Sequence, residues 1–314
     1  MIKMICTDND NFILDESLLV KKKKFFGSPK IEITELKEDS IQFTLTNVDI
    51  SIANSLRRVM IGEIPTLAIE LVTFEDNTSL MNDEIISQRL GLIPLYSKNC
   101  DKDYVFYWEC TCDTGECDKC SITFTLDVEC KTEKQMKVTS RDLISSKPLI
   151  QPFHGYDIND EIVICKLSHN QKIKLRCIAR KGIGNDHSKW QPVCKAVYNF
   201  KPDININYTE MNELSYNDKI AFVKKCPTKV YSYNEKQDEV DIENVNACIF
   251  CMECSKQGVK MGKADLVKII PRSDTLYFSV ETIGALSPED IVSTAFHILY
   301  KKLDHINFKL KLDY

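Results

Sequence analysis

Hydrophobic and polar residues alternate along residues 30–47, which is the period of strands with one buried face. Polar residues at 37–40 interrupt this alternation, so the pattern predicts a two-stranded hairpin with its turn there. From residue 50 the period lengthens to that of a helix, because apolar side chains recur at helical spacing and share one face. These apolar positions are Ile52, Leu56, Val59 and Met60.

Start and stop signals flank this first helix. Asp49 or Ser51 can accept hydrogen bonds from its first free amides, whereas Gly62 and Pro65 favour its end. The polar side of the helix groups an amide with two guanidinium groups, which form hydrogen bonds of fixed geometry. This grouping indicates a face that docks on another molecule, and its members are Asn54, Arg57 and Arg58.

Strand and helix patterns follow one another to the end of the chain. A short helix is predicted at 83–90, and strands are predicted at 66–75, 104–108, 121–128, 137–139, 162–167, 172–181, 264–270 and 275–281, with a turn at 271–274 between the last two. A long final helix starts at Pro288, with Ser287 as its cap. Its apolar stripe continues for about four turns and comprises Ile291, Val292, Ala295, Ile298, Leu299, Leu303 and Ile306.

The composition indicates a folded protein without a membrane span. A chain of 314 residues with 43% apolar and 28% charged residues is typical of two domains, or of one domain with an insertion. The net charge of −5 argues against a surface built mainly to bind phosphate groups. No apolar run approaches the about 20 residues of a membrane span, and the N-terminus lacks a signal-peptide pattern, so we expect a reducing compartment. Residues 1–29 are predicted to be an extension, and the four lysines at 21–24 to be a solvated patch rather than a localisation or nucleic-acid signal.

In a reducing compartment, the 14 cysteines need an explanation other than disulfide bonds. One group has the spacing C-x-C-x4-C-x2-C, with Gly115 available for a tight turn. Four thiolates fill a tetrahedral zinc site and leave no position for water. The spacing therefore predicts a structural zinc ion, with chance clustering of free cysteines as the alternative. The predicted ligands are Cys110, Cys112, Cys117 and Cys120.

A second group of four cysteines lies nearer the C-terminus. It combines a Cys-Pro pair with a later C-x2-C-x2-C run, and together they make one four-thiolate set of the kind that bacterial-type ferredoxins use. We expect a 4Fe–4S cluster here, with a second zinc ion or no bound ligand as the alternatives. The residues are Cys226, Cys248, Cys251 and Cys254.

Two sequence blocks are NSLRRVMIGEIPTLAIE and, further along the chain, DEIISQRLGLIPL. In their residues and their order they resemble motifs of the alpha-like subunits of cellular RNA polymerases. A third block around Gly182, Gly184 and Trp190 and a fourth, VETIGALSPEDIV, resemble the same family, so that the likeness covers residues 30–304. It implies a scaffold that assembles the two large catalytic subunits and has no catalytic residues of its own. His187 is predicted to be structural, because no nucleophile or metal partner lies near it in the sequence.

The resemblance implies an α+β fold with a discontinuous dimerisation domain. Residues 30–65 and 206–314 would form this domain of the alpha-subunit type. Residues 66–205 would form an inserted domain, mixed but mainly β, that bears the zinc. The second cysteine group resembles a small ferredoxin-like insert, which is also seen in archaeal members of the family and is assigned here to residues 226–262.

The zinc loop and Trp190 resemble the RNA polymerase II members of the family more than those of polymerases I and III. They imply a non-catalytic assembly subunit of DNA-directed RNA polymerase II in the nucleus, which forms a heterodimer with the smaller alpha-like subunit. The heterodimer would then bind the second-largest subunit. It would contact DNA only indirectly and would not bind membranes. The alternatives are the equivalent subunit of another RNA polymerase and a stand-alone iron–sulfur or zinc electron-transfer protein. The residues implied in partner contacts are Leu56, Arg57, Arg58, Ile291, Ala295, Ile298, Leu299 and Leu303.

Overall fold

The computed structural model describes residues 28–113, 115–131, 134–156 and 161–312. Nearly all of the predicted extension 1–29, including the lysines at 21–24, lies outside these residues. The strands that they form are β1 (Lys30–Leu36), β2 (Ser40–Thr46), β3 (Thr66–Asn77), β4 (Ile122–Glu129), β5 (Gln135–Thr139), β6 (Ile144–Ser145), β7 (Val163–Ser168), β8 (Lys172–Gly182), β9 (Val193–Ile206), β10 (Tyr231–Asn234), β11 (Glu239–Ile242) and β12 (Val267–Thr282). The helices are α1 (Ile50–Gly62), α2 (Asp83–Gly91), α3 (Cys100–Asp103), α4 (Tyr208–Asn212), α5 (Tyr216–Lys225), α6 (Glu253–Lys260) and α7 (Pro288–Leu312).

The first structural unit is an antiparallel sheet that joins strands from both ends of the chain in the order β1-β2-β12-β9. Phe43 on β2 lies opposite Phe278 on β12, and their rings stack with centroids 4.8 Å apart. Helices α1 and α7 share the apolar core of this sheet. Strand β9 belongs to the same sheet, so the chain returns from the inserted part before Val193, and the predicted boundary between residues 205 and 206 lies too late.

Helix α1 begins as predicted, because Asp49 Oδ1 accepts a hydrogen bond from the Ser51 backbone N–H at 2.8 Å. The predicted face is buried at Leu56, Val59 and Met60. Ile52, by contrast, is 46% exposed, and the smaller Ala53 takes the buried position in that first turn. The prediction for Ile52 is therefore wrong, because the core does not extend beneath the start of the helix at that angle.

The predicted turn at 271–274 does not divide two strands. The structure has one continuous strand, β12, because β9 pairs with it on both sides of this stretch. Pro271 lies opposite Pro202, and the register shifts between Arg272 and Leu276. The local turn signal therefore produces an irregularity in a strand that its neighbour holds together.

The inserted unit is mainly β. Its larger sheet has the order β3-β8-β4-β6, and a second ladder joins β5 to β7. The predicted strand at 104–108 does not form; the helix α3 ends just before it, and the following aromatic residues stack in a loop, with Phe106 and Trp108 centroids 4.6 Å apart. The alternation predicted for β8 is confirmed, because its core-facing residues Ile173, Leu175, Cys177 and Ala179 are buried.

A third unit lies between β9 and β12. Helices α4, α5 and α6 surround the hairpin of β10 and β11. The unit is wider than the predicted 226–262, because its core draws on residues before and after that range. The buried members of this core are Met211, Phe222, Val230, Tyr231, Val240, Cys248, Cys254, Leu266 and Val267.

Candidate metal centres and assembly surface

The first cysteine group converges on one point. Its four Sγ atoms all lie within 4.8 Å of one another. The Cys110–Cys112 distance is 3.3 Å, Cys110–Cys117 and Cys117–Cys120 are 3.5 Å, and Cys112–Cys120 is 3.7 Å. Zn–S bonds of about 2.3 Å in a tetrahedron require S–S edges of about 3.8 Å. These four distances lie close to that edge length, so the thiols fit a zinc ion after a small adjustment.

Polar contacts with the inserted sheet hold the loop that carries these thiols. Gly115 adopts a φ of +66°, as its predicted turn requires, and its carbonyl accepts a hydrogen bond from Arg180 Nη2 at 3.1 Å. Arg180 lies on β8 and also pairs with Glu70 of β3 at 3.3 Å. Lys147, which follows β6, donates from Nζ to the Asp118 carbonyl at 2.6 Å. The sheet thus positions the loop from outside.

Hydrogen bonds within the loop give its thiols different pKa values. The backbone N–H of Lys119, together with the neighbouring thiols, lowers the pKa of Cys117 to about 6. The hydrogen bond with Cys110 raises the pKa of Cys112 to about 12. Metal binding requires thiolates, and a divalent cation favours the ionised form of every thiol that it contacts. The loop therefore presents one readily ionised ligand, Cys117, and another, Cys112, whose ionisation a bound cation would favour.

The second cysteine group lies in the third unit, where all four residues line one small cavity. Cys248 and Cys254 are buried, and Cys226 and Cys251 are half-buried. The backbone N–H of Val230 donates to Cys226 Sγ at 3.4 Å. The four residues share this cavity within an apolar core, but among the described residues only the first group has its sulfur atoms gathered closely enough for a single metal ion. Tyr231 lines the same cavity, and no feature of the cysteine spacing marks it.

Helix α7 has two halves in different environments. Its first turns complete the core of the terminal sheet, since Ile291 and Ala295 are 0% exposed. Its second half projects past that core and leaves large apolar side chains uncovered. They are Tyr300 at 66%, Leu303 at 59%, Ile306 at 55%, Phe308 at 59% and Leu310 at 59% exposure. Helical periodicity predicts the stripe but cannot separate these two environments.

The residues predicted to contact partners fall accordingly into different classes. Leu56, Ile291 and Ala295 lie in the chain's own core, where they cannot meet another molecule. Ile298 and Leu299 are half-buried at the edge of that core, and Leu303 is exposed. Three apolar residues of the exposed half were not predicted, namely Tyr300, Phe308 and Leu310; the continuation of the helix to Leu312 would have indicated them.

The polar side of α1 has the predicted grouping. Arg57 donates from Nε and Nη2 to Asn54 Oδ1 at 3.2 and 3.1 Å, so its guanidinium group is held on the helix surface. Arg58 is exposed. Arg89 of the second sequence block instead donates to the Ile164 carbonyl at 2.7 Å and ties α2 to β7.

His187 and Trp190 have structural contacts. His187 Nδ1 accepts a hydrogen bond from the Lys189 backbone N–H at 3.0 Å and so caps the short turn that leads to Trp190. Trp190 donates from Nε1 to the Arg180 carbonyl at 3.1 Å. A Cβ on Gly182 would lie 2.3 Å from the Trp190 ring, so the third sequence block requires glycine there. In the part of the chain that the structure describes, no helix has the length and apolar character to cross a membrane.

Comparisons with known proteins support the resemblance over most of the chain. The model of the family described as the RNA polymerase Rpb3/RpoA insert domain matches residues 69–199. A DNA-directed RNA polymerase II subunit rpb3 of Dictyostelium discoideum is 46% identical over 284 residues, which are 88% of this chain and 93% of that protein.

Two further relatives have similar coverage. Subunit 3 of the DNA-directed RNA polymerases II, IV and V of Arabidopsis thaliana is 42% identical over 88% of this chain and 90% of its own length. The DNA-directed RNA polymerase subunit Rpo3 of Methanosphaera stadtmanae is 34% identical over 88% of this chain and 96% of its own length. Agreement over almost whole chains favours a polymerase subunit over an electron-transfer protein. The chain therefore belongs to the Rpb3 family of alpha-like subunits of DNA-directed RNA polymerases.

Proposed function

We propose that the chain is a non-catalytic assembly subunit of RNA polymerase II in the nucleus. Its similarity to RNA polymerase II subunits over 88% of its length supports this function. The observation that carries the proposal is the second half of α7, which presents an apolar surface that the chain itself does not cover. An assembly subunit needs such a surface, whereas an independent protein loses solubility by it.

The proposed occupant of this surface is the smaller alpha-like subunit. A projecting helical segment of about 12 residues is only marginally stable in water without packing. A partner helix would bury Leu303, Ile306 and Leu310, which follow one another at helical spacing on one side of α7. Ile298 and Leu299 would extend the contact to the edge of the terminal sheet. Lys302 forms an ion pair with Glu63, which fixes α7 against the end of α1 beside this surface.

The guanidinium groups of α1 are proposed to contact the second-largest subunit. Arg57 is already oriented by Asn54, so it loses little side-chain entropy on binding. Arg58 is exposed beside it. Carboxylates or backbone carbonyls of a large subunit would accept hydrogen bonds from these two guanidinium groups. This contact would join the heterodimer to the part of the polymerase that carries catalysis.

Both cysteine groups are proposed to hold structural metals. Cys110, Cys112, Cys117 and Cys120 would bind zinc, in agreement with the near-tetrahedral spacing of their Sγ atoms. Cys226, Cys248, Cys251 and Cys254 would bind a 4Fe–4S cluster, with zinc as the alternative ion for the same thiolates. A bound metal would supply cross-links that a short chain segment lacks.

Co-expression with the smaller alpha-like subunit tests the proposed interface. Leu303→Asp places a charge on the exposed stripe, and we expect roughly tenfold or lower recovery of the partner in a tag pull-down, as for a hot-spot residue. His305→Asp is the matched control, because two residues further along the helix the side chain points to the opposite side. Equal recovery with both variants would contradict the assignment of α7 to the heterodimer.

A further inference from the structure

Tyr231 carries a buried polar group that the fold leaves unexplained. Its side chain is 3% exposed, and within the described residues its hydroxyl has no hydrogen-bond partner. Buried hydroxyl groups are almost always hydrogen-bonded in native proteins. Such an orphaned donor at a ligand cavity indicates that its acceptor arrives with the ligand.

The hydroxyl lies among the second group of cysteines. Tyr231 lines the same small cavity as these four residues. Burial raises the pKa of Tyr231, and so does its side-chain contact with the Cys254 thiol, which is close to the hydroxyl without the geometry of a hydrogen bond. The phenol therefore stands next to sulfur atoms that are themselves proposed metal ligands.

The ring cannot turn its hydroxyl towards water. Tyr231 is the first residue of β10 and pairs with Ile242 of β11. Its ring packs against Phe222, with centroids 5.0 Å apart and an interplanar angle of 54°. Phe222 is itself 0% exposed. The strand and the aromatic neighbour together aim the hydroxyl into the cysteine cavity.

A neutral thiol and a metal-bound thiolate differ as hydrogen-bond acceptors. The sulfur of a thiol is a weak acceptor, whereas a thiolate carries charge and forms stronger, charge-assisted hydrogen bonds. Hydrogen bonds to ligating sulfur are also a general means of stabilising and tuning thiolate metal centres. The sulfur of Cys254, which already lies beside the Tyr231 hydroxyl, would thus become a strong acceptor for it when the cysteine is ionised on a metal.

We propose that Tyr231 donates a hydrogen bond to a cysteine thiolate of the second centre when metal is bound, and so couples metal loading to the stability of the third unit. This inference rests on the proposed metal site. Tyr231 acts as a positioning residue and is not a ligand. Zinc and a 4Fe–4S cluster both present thiolate sulfur, so the same donor serves either centre.

The test compares Tyr231→Phe with Tyr233→Phe in the full chain, co-purified with its smaller partner subunit. Tyr233 lies two residues along the same strand, but its hydroxyl donates to Asp238 Oδ1 at 2.6 Å instead of facing the cavity unpaired. The metal-free proteins are titrated with Co²⁺ against a competing chelator. In a separate arm they are reconstituted anaerobically with Fe²⁺ and sulfide. A Cys248→Ser/Cys251→Ser variant removes the second centre and identifies the signal of the first.

We expect Tyr231→Phe to weaken binding at the second centre by about 10- to 100-fold, the usual loss when an outer hydrogen bond of a metal centre is removed. Tyr233→Phe should bind as tightly as the unaltered chain. The melting temperature gives an independent reading. Loss of an orphaned hydroxyl should leave the metal-free third unit as stable as before or more stable, while it lowers the stability of the loaded form.

Different results overturn different parts of the proposal. Equal metal affinity of the unaltered chain and Tyr231→Phe would overturn the role of Tyr231 and leave the metal site in place. An equal loss of stability in the metal-free and loaded forms would also overturn it, because the residue would then be structural. If neither Co²⁺ nor iron and sulfide occupies the second centre of the unaltered chain, the metal site fails and the role of Tyr231 fails with it.

Discussion

The two four-cysteine groups use opposite means to hold their ligands. The first occupies eleven consecutive residues, which are held by Arg180 of β8 and by Lys147 of the segment after β6. The second is spread over residues 226–254 and shares an apolar core with Phe222, which is 0% exposed. The first loop therefore depends on its proposed metal for its local fold. The second group lies in a unit that can keep its fold through packing.

Loss of one ligand from the first loop should have the largest effect. Cys117→Ser should remove one zinc ion per chain and unfold the loop, because binding free energies of structural zinc are about 10–16 kcal/mol. Metal analysis and limited proteolysis between residues 105 and 121 would measure both effects. Cys194→Ser is the control, since Cys194 is an exposed cysteine outside both groups. If the loop stayed intact and protease-resistant without zinc, its local fold would not depend on the metal. The two cysteine groups would then not differ in this respect.

A cavity in the core of the third unit should have the next largest effect. Phe222→Ala should lower the free energy of unfolding of this unit by about 3–5 kcal/mol, with or without metal. Trp108→Ala beside the first loop is the comparison, because that side chain is 55% exposed and should cost less than about 1 kcal/mol. Chemical denaturation followed by amide hydrogen exchange would separate the units. If only the metal-free form of Phe222→Ala were destabilised, metal and not packing would hold the third unit.

The smallest effect concerns pH. The Tyr233 hydroxyl and then Lys219 hold the pKa of Asp238 below its ordinary value. A carboxyl group with a lowered pKa in the folded state stabilises the fold above its unfolded pKa, and this contribution is lost as the pH falls through the folded pKa. The metal-free third unit should therefore lose stability below about pH 4, and Asp238→Asn should flatten that dependence. Hydrogen exchange between pH 3 and pH 6 measures it.

Glu235→Gln, in the same hairpin turn, is the control for this pH effect. It removes a carboxyl group from the turn without removing the contacts of Asp238 with Lys219 and Tyr233. An unchanged pH dependence in Asp238→Asn would assign the acid sensitivity of the third unit to other groups.

The features that could be predicted from the sequence depend on nearby residues. The cap at Asp49, the start of α7 at Pro288 and the convergence of Cys110 with Cys120 each involve groups within a few turns of chain. The family resemblance added the discontinuous domain, which no local pattern reveals. The resemblance placed the end of the inserted domain, between residues 205 and 206, too late in the chain. Strand β9 can be recognised as part of the terminal sheet only through its pairing with β12.

The features that could not be predicted depend on what covers a side chain. Ile52 and Leu56 occupy equivalent positions in the helical pattern, yet one is 46% and the other 0% exposed. Ile291 and Leu303 likewise continue one stripe, but only the first lies above the sheet. A periodic pattern identifies an apolar face without identifying its neighbour. Tyr231 was not predicted for a related reason. The spacing of cysteines indicates possible metal ligands but not the residues that lie beside those ligands.

The pairing of β9 with β12 has a mechanical consequence. From Val267 opposite Ile206 to Thr282 opposite Val193, these two strands form a single ribbon that begins at the third unit and ends beneath α7. The continuous pairing of the two strands makes this connection rigid, whereas two unpaired linkers would be flexible. If a partner subunit binds the projecting helix as proposed, the paired strands would hold the third unit in a fixed orientation relative to that interface.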